Sequence, residues 1–374
     1  MKAHAAPGAL RPKVVICSPA LDAVSGVSTH AGLLFASTLA DDFELLHFQV
    51  GSEGRQESRS ARLLRRLASP LQLARLIRRE RPAIIHLNTS MDHKACWRDS
   101  MLLLVAKVFG VRVLQQVHGG AMPAEMVAQH PLCAALLRRL LRASDAVSVL
   151  SRAEQAAYRA FCPAAHLVRI PNAIDCATPP EGLRRHAQDA PLRLVYIGRL
   201  ITEKGLFDIL AAVALLRDRG RRLRLDIAGS GPALEALLAQ AALHQLGEIV
   251  QFHGPVAGPD KARLWHDADL LVFPTYHPEG LPYALLEAMA AGTPAITCAV
   301  GAIPDVMQHG VHGLFVMAQD VPMLAGAIVR LDDDRPLLDA MRHACRERVR
   351  SAFSAERLAR DFNALYVAML RRPA

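Results

Sequence analysis

Short apolar runs separated by amphipathic stretches set the rhythm of this chain. Lys13–Ser18, Glu44–Val50, Ala83–Asn88, Arg112–His118 and Ala146–Leu150 are compact apolar or alternating segments, with helical spacing between them. Runs of that length read as buried strands, and strand–helix repetition predicts a mainly parallel sheet with helices on both faces. The rhythm then restarts with LRLVYIGRL at Leu192 and continues through LRLDIAG, EIVQFHG, DLLVFP and PAITCA. Between the two series, residues 170–191 are punctuated by Pro171, Pro179, Pro180 and Pro191, so a domain boundary is expected there. The pattern predicts an α/β chain of two Rossmann-like domains, residues 1–180 and 181–374, facing each other across an interdomain cleft. A last helical stretch, Ala355 to Leu370, either packs on the second domain or crosses back to the first; periodicity leaves both open.

Composition agrees with two cores: 374 residues are 52% hydrophobic. The apolar segments Leu102–Ala106 and Leu281–Ala291 are bounded or interrupted by Lys107 and Glu287. Both fall well short of the roughly 18 to 20 residues that cross a bilayer, so no spanning helix is expected. The N-terminal MKAHAAPGALRPK lacks the apolar core of a secretory signal. Seven cysteines without close pairs argue against a disulfide framework or a zinc knuckle, and a cytoplasmic location is expected.

Charge changes the picture in one place. Residues 1–190 hold 24 Lys and Arg against 15 Asp and Glu, whereas residues 191–374 hold 20 of each, so the first half carries the whole net charge of +9. Nine arginines lie between Arg55 and Arg81, with only Glu57 and Glu80 as acids. Leu63, Leu67, Leu71, Ala74 and Ile77 form an apolar stripe beside them, and Pro70 is expected to divide the segment into two helices. Three readings fit: a solvated basic face, peripheral attachment to anionic lipid, or nucleic-acid binding. The last has no zinc-finger, helix-turn-helix or aromatic RNA-binding signature beside it.

Candidate chemistry is concentrated in the loops that follow strands, where open sheets bind ligands. Ser25-Gly26-Val27-Ser28 follows the first strand; Gly26 permits close backbone approach and Ser28 is expected to cap the next helix. A structural turn and a ligand contact both fit this loop, which lacks the full GxGxxG of dinucleotide-dependent oxidoreductases. GRLITEKG, Gly198–Gly205, places Arg199 and Lys204 at a strand end, where two exposed cations would neutralise a diphosphate leaving group. A salt-bridge network with Glu203 is the bland alternative. IAGSGP adds Gly229 on a second turn. In PTYHPEGLPYALLEAMAAGTPAI, Glu279 precedes a helix beginning near Leu281 and Glu287 lies two turns inside it. The two carboxylates therefore suit different parts of one ligand, Glu279 the sugar and Glu287 the ribose. Gly280, Leu281 and Tyr283 have amides that can meet a phosphate, whereas Pro282 has none.

On these motifs the sequence resembles the retaining glycosyltransferases of family four, with the GT-B fold. The resemblance spans nearly the whole chain: the Gly26 loop, VHGG at Val117–Gly120, IPNAID, GRLITEKG, AGSGP, and EGLPYALLE with seven residues between Glu279 and Glu287. The family commonly has EGFGL where this chain has EGLPY, and Glu where Asp305 stands. The resemblance implies that Arg199 and Lys204 bind the donor diphosphate, Glu279 the transferred sugar and Glu287 the ribose. His118 would lie near the sugar and acceptor, with a satisfied core histidine as its alternative, and the loop containing Gly254 would face the nucleobase. It implies transfer from a nucleoside diphosphate sugar to a carbohydrate or lipid-linked acceptor, with no further cofactor. No metal is expected, since Asp267–Asp269 precedes a buried-looking strand. A nucleotide-sugar hydrolase or phosphorylase and a noncatalytic binding regulator are the competing classes.

Overall fold

The computed structural model describes residues 11–23, 25–51, 57–120, 122–131, 133–176 and 190–371. Strands β1 (Lys13–Ser18), β2 (Glu44–Gln49), β3 (Ile84–Thr89), β4 (Arg112–Val117), β5 (Ala146–Val149) and β6 (Leu167–Arg169) form a parallel sheet in the order β2-β1-β3-β4-β5-β6. Strands β7 (Leu192–Ile197), β8 (Leu223–Ala228), β9 (Val250–Gly254), β10 (Leu270–Phe273), β11 (Ala295–Thr297) and β12 (Gly313–Phe315) form a second, in the order β12-β11-β10-β7-β8-β9. Each strand order reverses once, between β1 and β3 and between β7 and β10. Such switch points open a crevice at the strands' carboxyl ends.

The chain divides into two compact units, residues 1–173 with 355–374 and residues 174–354. In the first, alternate strand residues enter opposite layers, because successive side chains leave opposite faces of a sheet. Val15, Cys17, Ile85, Leu87 and Val113 meet Leu73 and Ile77 of helix Arg59–Glu80 and Leu102, Leu103 and Ala106 of helix His93–Val108. Val14, Ile16, Ile84 and Leu114 meet Ala31 and Leu34 of helix Gly26–Ala36 and Leu358, Phe362, Leu365 and Met369 of the last helix, Ala355–Arg371. The last helix is thus part of the first unit's core.

Three local expectations change. Helix Arg59–Glu80 runs unbroken with Pro70 inside it. Its core-facing residues Leu73 and Ile77 are buried by the sheet, and this packing offsets the lost amide. The expected stripe is therefore split, because Ile77 is buried while Leu67 and Leu71 are exposed; the side chain of Leu63 lies outside the described residues. The cap of helix Gly26–Ala36 is Ser25, whose Oγ accepts from the Ser28 amide at 3.2 Å; Ser28 sits inside the helix and cannot cap it. The helix after Glu279 begins at Tyr283, two residues later than expected, behind Pro282. Among the described residues, no helix is long and apolar enough to cross a membrane.

Candidate functional site

In the second unit, three glycine turns meet at the carboxyl edge of β7, β8 and β9. The Gly198 amide donates to Ala228 O at 3.0 Å, and the Gly229 amide to Gly254 O at 2.7 Å. A Cβ on Gly229, at φ +142°, would collide with Gly198 O, so only glycine permits this approach. Tyr196 Oη donates to Arg199 O at 2.9 Å and braces the turn beneath the exposed Arg199 side chain.

Across the β7/β10 switch point, a 3-10 turn, Thr202–Lys204, docks on the loop after β10. The amides of Tyr276 and His277 donate to Glu203 O at 2.9 and 3.0 Å, and Gly205 packs against the Pro274 carbonyl. This docking joins Lys204 to Glu279 as an ion pair. Thr275 Oγ donates to Glu279 Oε1 at 2.9 Å, and Lys204 Nζ lies 4.9 Å from the centre of the Phe273 ring. The side chains of Lys204 and Glu279 are 13% and 9% exposed, so the expected freely exposed cation is instead a packed, paired one. Thr275 escaped the sequence reading, although it is the second residue after the LLVF strand.

Glu287 has other partners. Lys261 Nζ donates to its Oε1 at 2.7 Å and Trp265 Nε1 to its Oε2 at 3.2 Å. It lines a cavity of about 310 Å³ with Asp175, Trp265, Arg346 and Arg350. A separate cavity of about 700 Å³ is lined by Arg199, Glu203, Phe207, Pro232, Ala236 and His277. Gly280 accepts at its carbonyl from the Ala302 amide at 3.1 Å, and Leu281 is buried at the foot of the helix. The structure therefore groups Gly198, Arg199, Gly229 and Gly254, and pairs Lys204 with Glu279, while Glu287 faces its own cavity. Asp269 is committed to structure: it accepts from Arg342 at 2.6 Å and from the Arg193 amide at 2.8 Å. Among the described residues, no cluster of three His, Cys, Asp or Glu side chains is arranged to hold a metal.

In the first unit, Gly26 opens its helix at the end of the loop after β1, and His118 follows β4 ahead of Gly119 and Gly120, at φ +85° and +108°. His118 Nε2 lies 2.7 Å from Asn88 Oδ1, and its ring centre 4.7 Å from that of the fully buried His30. His86, also buried, bonds Tyr366 Oη of the last helix at 2.7 Å and Gln116 Oε1 at 2.9 Å. Burial pulls the imidazoles of His86 and His118 down to about 3, and that of His30 well below its ordinary value, so all three are neutral near pH 7.

Two doubly wound parallel sheets with glycine turns at the switch points define the GT-B class of two-domain α/β fold. Solved structures agree. Sucrose-phosphate synthase from Thermosynechococcus elongatus superposes with TM-score 0.77 at 21% identity, covering 96% of this chain and 99% of that one. Anabaena HepE in complex with UDP superposes with TM-score 0.74 at 15% identity, covering 95% and 100%. A family profile for glycosyl transferases group 1 matches residues 191–334, and one for glycosyltransferase family 4 matches residues 34–178. A GDP-mannose-dependent alpha-(1-6)-phosphatidylinositol monomannoside mannosyltransferase of Mycobacterium tuberculosis is 31% identical over 262 residues, 66% of this chain and 67% of that protein. Glycogen synthase of the same organism is 35% identical over 208 residues, 55% of this chain, which thus spans about half (50%) of that relative's length. The chain belongs to the GT-B glycosyltransferases related to the group 1 and family 4 enzymes.

Proposed function

We propose that this protein is a retaining, family-four hexosyltransferase that moves a sugar from a nucleoside diphosphate sugar to an acceptor hydroxyl in polysaccharide or glycolipid synthesis. The observation that carries the reading is the β7/β10 switch point, where the glycine turns, Arg199, Lys204 and Glu279 stand at one sheet edge. Arg199, exposed and without a side-chain partner among the described residues, is a fork for a diphosphate. Lys204 is held by Glu279 until a donor arrives. Phosphate oxygens then compete for the ammonium, while sugar hydroxyls donate to the released carboxylate. As the leaving group departs, Arg199 and Lys204 stabilise its developing charge, and its phosphate oxygen takes the acceptor proton. Glu287 receives the ribose hydroxyls by exchanging Lys261 or Trp265 for them. The Gly280 and Leu281 segment and the turns at Gly198, Gly229 and Gly254 frame the phosphates and base. In the first unit, the Gly26 loop and His118 serve the sugar and acceptor.

The test is product mass across paired panels, UDP-glucose and GDP-mannose against carbohydrate and lipid-linked acceptors, with NMR of the new anomeric centre. A new glycosidic bond in the donor's configuration is expected. An inverted product overturns retention, free sugar alone favours a hydrolase, and phosphate-dependent turnover favours a phosphorylase. Binding without turnover on every acceptor leaves a noncatalytic regulator.

A peripheral membrane role, on the cytoplasmic face, is favoured by one surface of the first unit. After Lys94, every exposed position of helix His93–Val108 is apolar: Trp97, Met101, Leu104 and Val108. The neighbouring helix Arg59–Glu80 exposes Leu64, Leu67 and Leu71. Arg75, Arg78 and Arg79 are exposed at that helix's end, which matches an anionic bilayer and opposes a second copy of the same basic face. Arg65 is engaged with Glu57 at 2.9 Å, and the side chains of Arg62 and Arg66 lie outside the described residues. Flotation is expected to show binding to anionic vesicles that is weakened by salt, by Arg75→Gln with Arg78→Gln, and by Met101→Glu with Leu104→Glu. Equal flotation on neutral and anionic vesicles, unchanged by either pair, rejects the surface.

A further inference from the structure

We propose that Asn88 is a positioning residue that fixes the tautomer of His118, taking the proton on Nε2 and leaving Nδ1 as a one-way acceptor for a ligand hydroxyl. The inference rests on the role proposed for His118 and adds the residue that sets its chemistry. It follows from what each atom is able to do. Asn88 is the fifth residue of β3, nearly fully buried at 3% exposure, and one end of its amide lies 3.2 Å from the Cys17 carbonyl on neighbouring β1. A carbonyl oxygen only accepts, so that end must be Nδ2, and a flipped amide would set two oxygens against each other. Oδ1 is thereby turned to His118, 2.7 Å from Nε2. An amide oxygen carries no hydrogen, so Nε2 must carry one.

The ring is neutral, because burial holds it far below the pH at which it would take a second proton. Nδ1 therefore keeps its lone pair. It is shut from solvent and has no hydrogen-bond partner among the described residues, a costly state for a buried acceptor unless a ligand or a water completes it. His30 stands edge-on to His118, with neither ring nitrogen bonded among the described residues, and His86 is taken by Tyr366 and Gln116. No charged group among these neighbours competes with Asn88 for control of the tautomer. A sugar or acceptor hydroxyl that reaches Nδ1 finds an acceptor there and no proton to take.

Proton-detected NMR of the full chain carrying ¹⁵N-histidine reads this directly, with His118→Gln used to assign the resonance. The wild-type protein at pH 7 is expected to show His118 as the single Nε2–H tautomer, and adding UDP-glucose or GDP-mannose is expected to shift Nδ1 more than Nε2. Asn88→Ala should leave a mixture of tautomers and lower kcat by roughly tenfold, about the worth of one hydrogen bond, with a smaller change in KM. Asn88→Asp should place an anion at Nε2 and raise the His118 titration from its wild-type position. A wild-type Nδ1–H form, a charged ring at pH 7, or an unchanged single tautomer in Asn88→Ala overturns the proposal, and the first two need no variant to fold. The expected tautomers with unchanged turnover in Asn88→Ala would remove the catalytic purpose of the lock, and with it the role proposed for His118. Failure of the transferase reading itself would appear separately, as a missing glycosidic product in the wild type.

Discussion

In the proposed site, Lys204 sits where attraction to a donor phosphate and attraction to its own protein compete. Its ammonium is paired with Glu279, and both side chains are at least four-fifths hidden, at 13% and 9% exposure. Lys204→Ala would leave a hidden carboxylate with Thr275 as its one side-chain partner among the described residues, so it is expected to lower stability by about 3 kcal/mol as well as abolish most turnover. Lys204→Met with Glu279→Gln removes both charges at similar volume and should recover most of that stability but none of the activity. Urea unfolding of the single and double variants, run beside donor turnover, reads both effects. Additive stability losses would show that the pair is not coupled. Thr275→Val takes one hydrogen bond from Glu279 and should slow turnover by about tenfold with little change in melting. The neutral histidines predict an acid weakness. Above the unfolded value of 6.5 both states are neutral, and below it the unfolded chain takes up protons that His86 and His118 refuse until about pH 3. Stability should therefore fall as pH drops from 6.5 toward 3, with a slope approaching about 1.4 kcal/mol per pH unit for each histidine. Urea midpoints that stay level between pH 7 and 5 would contradict this.

The helices carry a different lesson. Helix Arg59–Glu80 tolerates Pro70 because Leu73 and Ile77 anchor its second half on the sheet. Pro70→Ala should add stability on the order of 1 to 2 kcal/mol, the regained amide bond less the lost rigidity of the unfolded chain. A lower melting point would mean that the proline shapes the helix's packing. Strand positions were legible because buried parallel strands are nearly continuous apolar runs, and β1 falls where the pattern put it. Of the three-residue strands, β11 stands out through the apolar run PAITCA, whereas β6 and β12 were not picked out, since so short a run carries too little periodicity. Apolar residues also look alike in sequence whether they face a core or water. Trp97, Met101, Leu104 and Val108 stand among apolar neighbours that are buried, and only the packed structure reveals that these four point outward. At the candidate site, the loops single out Arg199, Lys204 and Glu279, but Thr275 and Asn88 are marked only by their hydrogen bonds, to partners far away in sequence or fixed by a turn's shape.

At the scale of the whole molecule, the first unit is assembled from two distant stretches of chain. Phe362 is fully buried in its core beside Ile84 and Leu114, and Tyr366 bonds His86. Phe362→Ala is expected to cost about 3 to 5 kcal/mol, felt by residues almost three hundred positions upstream. Hydrogen exchange would check this. Protection should fall in β1, β3 and β4 while β7, β8 and β10 stay protected, and uniform loss or no loss would argue against the division into two units.

The returning helix also imposes an order on synthesis. At roughly 5 to 20 residues per second, a ribosome needs about 10 to 40 s to make residues 174–354. Throughout that interval the first sheet has been made, but the layer of Val14, Ile16, Ile84 and Leu114 lacks the part of its cover that the last helix supplies. The second unit, one continuous stretch from residue 174 to 354, is free to finish first. The nascent chain therefore matures out of sequence, its first sheet waiting for the helix at residues 355–371.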